Sequence, residues 1–391
     1  MKNVRKSVLI IVIILIFNIC NVYAQEDLKV DAKAVLLMEA ESGEIIYEKN
    51  VDYPYPPASI TKLMTYLIAM EDIKKGKLGL DDIVVISKKA SDERGATYYL
   101  RENENMKLRE LIEAMMIASA NDAAMAIAEY VGEDEEKFVA RMNQKAQEIG
   151  MKNTHFENPN GMPEEGKGNR MSASDIATLA RCLLKNYKME MLPLTNTQKF
   201  INTKRRFEKE NTNHLLKSIP EVDGLKTGYT DEAGYCLAST MNVAGQDANF
   251  RLISVVLGTE SDRMRVRESK KVLEYGKNNY AKEKILDQDE SIAEMNLFNI
   301  KDLPINLLPK KDLYSFGPKE GIVKKKEISL LKKRTLRVKK GEKLGSVIIT
   351  LYNDEVVHMD LVSDRDIKNV PAGVFIRNYK SIFAGVLSSL W

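Results

Sequence analysis

The spacing of apolar positions changes several times along the chain, and each change predicts a different element. A basic start (Lys2, Arg5, Lys6) precedes a nearly all-aliphatic run from Val8 to Phe17, which ends on the small-residue pattern Val22-Tyr23-Ala24. That order is the pattern of a secretory signal peptide, with cleavage expected after Ala24. An uncleaved anchor is the alternative, but the run falls short of the roughly 20 apolar residues that a span requires. Residues 32–48 then read as two strands around a Glu41-Ser42-Gly43 turn, an early hairpin. Pro54, Pro56 and Pro57 hold the chain extended, and Ile60–Met70 behind them is apolar on almost every side. A helix with so little polar surface is expected at the centre of a domain. Leu108–Val131 keeps helical spacing on both sides of a break at Ser119-Ala120-Asn121-Asp122, whereas 153–170 carries the Asn-Pro, Asn-Gly and glycine signals of a loop. Ser172 to Asp175 caps a helix expected to run to about Lys185.

From Gly224 the chain turns to β. Leu225–Thr230, Tyr235–Val243 and Phe250–Thr259 read as three strands, with a closing helix over 267–280. Between about 285 and 370 short strands alternate with charged turns, marking a second, β-rich domain. The last stretch, 371–391, is amphipathic. Val374, Phe375, Ile382, Phe383, Val386, Leu387, Leu390 and Trp391 gather on one face, and Arg377, Asn378, Lys380 and Ser381 fall on the other. Such a helix is expected to lie in a membrane interface, the alternative being a helix docked on the protein's own β-domain. The organisation predicted is a signal peptide (1–24), an α/β catalytic domain with an antiparallel sheet flanked by helices (25–280), a small β-rich domain (281–370) and an amphipathic anchor (371–391).

Composition changes this picture little. With 391 residues, 44% hydrophobic and 29% charged, the chain is ordinary for a two-domain globular protein. The net charge of +3 hides an asymmetry: residues 25–275 carry 35 basic and 41 acidic side chains, residues 276–391 carry 21 and 15. For an exported chain a basic second half points to a membrane or wall surface, not to nucleic acid. Cys20 leaves with the signal, and Cys182 and Cys236 are expected as small buried hydrophobes.

The chemistry is decided by what is missing as much as by what is present. Among three histidines none sits in a nucleophile-and-base setting, and G-x-S-x-G, HExxH and CxxC are all absent. Neither Ser-His-Asp nor metal chemistry is supported, and no cofactor is expected. Lysine can replace histidine as the base. Ser59 and Lys62 stand three apart where a helix begins, and a lysine in a dry pocket near other positive charge has its pKa lowered until the neutral amine can take a serine proton. A second S-x-x-K at Ser329–Lys332 shows that the spacing alone proves nothing. Two further elements separate the cases. Ser119-Ala120-Asn121 lies at a helix break where side chains point into a cleft, and Lys226-Thr227-Gly228 lies on a strand where glycine admits a substrate backbone. The order S-x-x-K, S-x-N, K-T-G is the three-part pattern of penicillin-binding proteins and β-lactamases.

On these motifs, and on PPASITKLMT, IASANDAAMAIAEYVG, MKNTHFENPNGM and DGLKTGYTDEAGYCL, the chain resembles the low-molecular-weight penicillin-binding proteins, serine-type D-alanyl-D-alanine carboxypeptidases. The resemblance implies that Ser59 attacks the bond between two terminal D-alanines of a peptidoglycan stem peptide while Lys62 takes its proton. Ser119 and Asn121 would line the cleft, Lys226 and Thr227 would hold the terminal carboxylate, and backbone N–H groups of Ser59 and of Tyr229, beyond Gly228, would form the oxyanion hole. β-Lactams would acylate Ser59. Ser174 stands where many members carry arginine or tyrosine before the aspartate, which leaves Arg170 as a substitute carboxylate partner. The alternatives are a β-lactamase, whose deacylating glutamate finds no better setting than Glu190-Met191-Leu192-Pro193, and a catalytically silent wall-binding protein.

Overall fold

The computed structural model describes residues 28–163, 168–296, 304–331 and 337–368, together with 376, 379 and 380. The expected signal peptide lies outside the described residues, as does all of the expected anchor but Ile376, Tyr379 and Lys380, which are helical and exposed. Among the described residues no helix is long and apolar enough to cross a membrane.

A five-stranded antiparallel sheet organises the first domain. Its strands are β1 (Ala34–Glu39), β2 (Ile45–Lys49), β3 (Val222–Thr230), β4 (Gly234–Val243) and β5 (Phe250–Thr259), in the order β2-β1-β5-β4-β3. The hairpin and the three later strands follow the sequence reading. Successive side chains of a strand point to opposite faces, and here both faces are covered. Leu36, Leu225, Ala238, Ile253 and Val255 join the core under the helices of the central chain. Val35, Leu37, Met241, Leu252 and Val256 pack on the other side against Val272 and Leu273 of a helix over Asp262–Asn279. Double coverage explains why β1, β4 and β5 read as nearly continuous apolar runs.

The helical side is built around α1 (Lys62–Lys74), entered through a 3-10 turn at Ala58–Thr61. Leu63 to Met70 is buried without interruption, as its all-round apolar character requires. Around it stand α2 (Leu108–Ile117), α3 (Asn121–Gly132), α4 (Glu135–Glu148) and α5 (Ala173–Thr195). Two boundaries and one whole helix differ from expectation. Helix α5 runs ten residues beyond Lys185, bending at Tyr187, because buried Tyr187 and Met191 continue its apolar face past the kink. The closing helix starts at Asp262, where the Ser261 side chain accepts from the Met264 N–H and caps it. Helix α4 was not anticipated, although Asp134 caps it and Phe138, Met142 and Ala146 recur at the buried i, i+4 spacing. Cys236 is buried as expected, but Cys182 is only half-buried.

The second unit is all β. Strands at Ala293–Asn296, Pro304–Pro309, Val356–Ser363, Lys343–Leu351 and Val323–Leu330 form a second five-stranded sheet in that spatial order. Tyr280–Leu286 pairs with Leu313–Pro318 and joins the two units, since Phe316 stacks on Tyr280 at 5.5 Å and packs near Phe250 at 5.2 Å. Ser329 lies on the outermost strand of this sheet, exposed. Ser329 is not among the residues that line the cleft of the first S-x-x-K, and Lys332 lies outside the described residues.

Candidate active site

The nucleophile candidate sits on the 3-10 turn, not on the α-helix proper. In a 3-10 turn side chains at i and i+3 eclipse one another, so Ser59 and Lys62 meet directly: the Nζ–Oγ distance is 2.7 Å. Ser59 is half-exposed and Lys62 has no exposed surface. The Lys62 amine also donates to Asn121 Oδ1 at 2.7 Å and to the Asn160 carbonyl at 2.8 Å. Two of its three partners are thus obligatory acceptors. A neutral amine has two N–H groups and one lone pair, which matches two carbonyl oxygens and one hydroxyl that donates. Burial first, and then the nearby Lys226 charge, hold the Lys62 ammonium well below the ordinary lysine range.

The second serine comes from the break between α2 and α3. Ser119 takes a left-handed backbone, φ +62°, which turns the chain sharply so that its hydroxyl accepts from Lys226 Nζ at 3.0 Å. Asn121 opens α3 and is oriented from both ends, its Nδ2 donating to the Arg94 carbonyl at 2.5 Å. Its neighbour Asp122 accepts from the backbone N–H groups of Tyr98, Leu100 and Ala123 and pins the 94–100 segment over the helix start.

Strand β3 closes the cleft from the sheet edge. Lys226 is buried, and desolvation with a contribution from Arg265 lowers its pKa to about 7. Gly228 is where the strand passes the nucleophile. A Cβ there would stand 2.4 Å from the Pro57 carbonyl and 3.3 Å from the Ser59 nitrogen, so only glycine permits this approach. Gly161 backs the turn from the other side, where a Cβ would meet the Ala58 carbonyl at 1.9 Å. Ser59, Ser119, Asn121, Thr227, Gly228 and Tyr229 line one cavity of about 660 Å³, with Lys62 and Lys226 buried in its floor. That is the size of a small-molecule or peptide-end site.

The three motifs, scattered over 170 residues of chain, therefore converge on one cleft. Residues 21–261 match the D-alanyl-D-alanine carboxypeptidase family, and residues 280–369 match the penicillin-binding protein 5 C-terminal domain. The chain belongs to this carboxypeptidase family. It is 33% identical to the D-alanyl-D-alanine carboxypeptidase DacF of Bacillus subtilis over 96% of this chain and 97% of that one. Among solved structures it is similar to the D-alanyl-D-alanine carboxypeptidase DacD of Francisella tularensis, with 29% identity, TM-score 0.66, and 88% and 95% of the two chains covered. It also resembles the ampicillin-bound form of penicillin-binding protein D2 from Listeria monocytogenes, with 32% identity, TM-score 0.57, and 63% and 98% covered.

Within this family architecture the sequence reading missed three contributors. The Asn160 carbonyl on Lys62 belongs to the 158–162 loop, where the Asn158 side chain accepts from the Gly161 N–H and the Asn160 side chain accepts from the Met162 N–H. Only the Asn-Pro-Asn-Gly composition hinted at it. Thr212 meets the Thr227 hydroxyl at 2.5 Å. Arg265 is buried in the cleft wall beside Asp262, and its guanidinium reaches the Thr212 carbonyl at 3.3 Å and the Gly228 carbonyl at 3.5 Å. Arg170, by contrast, is paired with Glu232 at 2.8 Å, and Ser174 donates to Asp52; neither lines the cleft. The guanidinium in the cleft wall is that of Arg265, not Arg170.

Two outcomes test this account. Replacing Asp122 by Ala orphans three backbone N–H groups and is expected to cost about 2–4 kcal/mol in urea unfolding, with Asp122→Asn costing less. Lys226 makes a signed pH prediction. Below pH 7 its ammonium is charged folded and unfolded, so the fold bears the whole burial cost; between about 7 and 10.5 the folded state sheds the proton first and stability rises. Lys226→Met is therefore expected to be more stable than wild type by a few kcal/mol at pH 6, with the gap closing towards pH 10. A gap of equal size at both pH values would refute the burial argument.

Proposed function

We propose that the chain is a serine-type D-alanyl-D-alanine carboxypeptidase that removes the terminal D-alanine of peptidoglycan stem pentapeptides through an acyl-enzyme on Ser59. The observation that carries this is the Lys62 amine, held 2.7 Å from Ser59 Oγ with both its N–H groups spent on carbonyl oxygens. In that state its lone pair faces the serine hydroxyl. Ser59 Oγ attacks the carbonyl between the two D-alanines while Lys62 takes the proton. The oxyanion forms between the backbone N–H groups of Ser59 and Tyr229, a pair whose loss typically costs on the order of 10²–10³ in rate per donor. Thr227, with Lys226 and Arg265 behind it, binds the terminal carboxylate. Ser119, resting on Lys226, relays to the leaving amine the proton that Lys62 took, which returns Lys62 to the neutral amine, and Asn121 holds the substrate amide. Water activated by Lys62 then hydrolyses the ester.

β-Lactams carry the same carbonyl-and-carboxylate arrangement and would acylate Ser59. The signal-peptide pattern supports action outside the cytoplasm. The amphipathic 371–391 stretch and the basic second half support attachment to the outer face of the cytoplasmic membrane. Peptidoglycan is then the polymer in reach, and nucleic acid is not.

The decisive assay is D-alanine release from a synthetic stem pentapeptide. Wild type should release one D-alanine per peptide, and Ser59→Ala and Lys62→Ala should each lose at least about 10³ in kcat/KM. Rapid destruction of penicillin without D-alanine release would make the chain a β-lactamase, and inertness to both would make it a binding protein. The kcat/KM profile should also fall on its basic side near pH 7, where Lys226 in the free enzyme loses the charge that binds carboxylate. In kcat that limb should move to higher pH, because bound carboxylate favours the ammonium.

A further inference from the structure

The two acceptors of the Lys62 amine are held by two consecutive residues. The Arg94 carbonyl takes the Asn121 side-chain amide at 2.5 Å, and Glu93 Oε2 takes the Asn160 side-chain amide at 2.9 Å. Asn121 and Asn160 are in turn the residues whose oxygens Lys62 occupies, at 2.7 and 2.8 Å. The turn after the short helix Lys88–Ser91 thus grips both sides of the amine's socket. One grip is neutral backbone. The other is a carboxylate, half-buried and outside the cleft lining.

We propose that Glu93 is a positioning residue for the Ser59 reaction: its carboxylate fixes Asn160, and with it the carbonyl beneath Lys62, and sets a negative charge beside that lysine. The proposal rests on the reading of Lys62 as the base. A neutral amide at this position would serve as well if geometry were the whole requirement, since a glutamine oxygen accepts the same hydrogen bond. The carboxylate adds charge. The charged groups that face Lys62 are Lys226, which disfavours its ammonium as burial does, and Glu93 and Asp122, which favour it. Asp122 is committed to three backbone N–H groups. Glu93 has the larger influence of the two and also holds Asn160, so its charge offsets the dry, positive surroundings of the base. Without that offset Lys62 would be a still weaker base for the serine proton. The Brønsted requirement that a base be both free and strong is met by intermediate strength.

The test separates the charge from the tether. Acylation by a fluorescent penicillin is followed from pH 5 to 9 for wild type, Glu93→Gln and Glu93→Ala, with the labelled fraction at saturation giving the folded, competent enzyme in each. Glu93→Gln keeps an acceptor for Asn160 and removes the charge, so its acid limb is expected to move to lower pH by about one unit or less. Its plateau rate should fall. Glu93→Ala loses the tether as well, and its acylation rate should drop on the order of tenfold or more at every pH. A Glu93→Gln profile that superimposes on wild type overturns the proposal alone, as does a Glu93→Ala enzyme with the wild-type rate. A wild type that is never labelled overturns the Ser59 reading and this proposal with it.

Discussion

A lysine side chain without exposed surface, carrying three hydrogen-bond partners, is the constraint on which the rest of the site depends. Burying an ammonium is costly unless it is paired with a counter-charge and fully hydrogen-bonded, and the three hydrogen bonds of Lys62 all run to neutral groups. Its partners are a hydroxyl, a side-chain amide oxygen and a backbone carbonyl. That set suits an amine that has given up its proton. The same dryness that would destabilise the ammonium makes the neutral form available next to a serine, so the price of the fold and the source of its chemistry are one fact. Lys226, buried in the same floor, contributes positive charge that pushes in the same direction.

Holding such a site open takes backbone strain and close approach. Ala58, just before Ser59, and Ser119 itself both adopt left-handed conformations, φ +48° and +62°. Non-glycine residues in that region cost of order 1–3 kcal/mol each and persist only where surrounding structure fixes them. The surroundings here are two glycines pressed against the Ser59 turn, Gly161 and Gly228, and the buried network around Asp122 and Asn169. The apolar mass of α1 and its neighbours supplies the rigidity against which this strain is held.

Much of the architecture was legible because it is written in local periods. The apolar runs of β1, β4 and β5, the uniformly apolar α1 and the loop chemistry of 153–170 each follow from residues close together in sequence. Where the reading stopped short, a local signal was present but overridden or passed over. The kinked continuation of α5 is carried by tertiary burial of Tyr187 and Met191, and α4 carried a cap and an i, i+4 stripe that a shorter window shows.

By itself the sequence determined which residue types are available for chemistry and where each would stand: a serine and lysine three apart, a serine and asparagine at a helix break, a lysine and threonine on a glycine-relieved strand. It also determined that no histidine-based or metal-based alternative had a comparable setting. Only the tertiary structure decided the socket. Lys62 finds Asn121 and Asn160 across 59 and 98 residues of chain, and Lys226 finds Ser119 across 107. It also exchanged Arg170 for Arg265 at the cleft wall. Such contacts leave no periodic trace, because a hydrogen bond between distant segments constrains one position on each and nothing about their neighbours. The period of a strand or helix is repeated at every turn and can be read; the meeting of two side chains happens once, and packing alone arranges it.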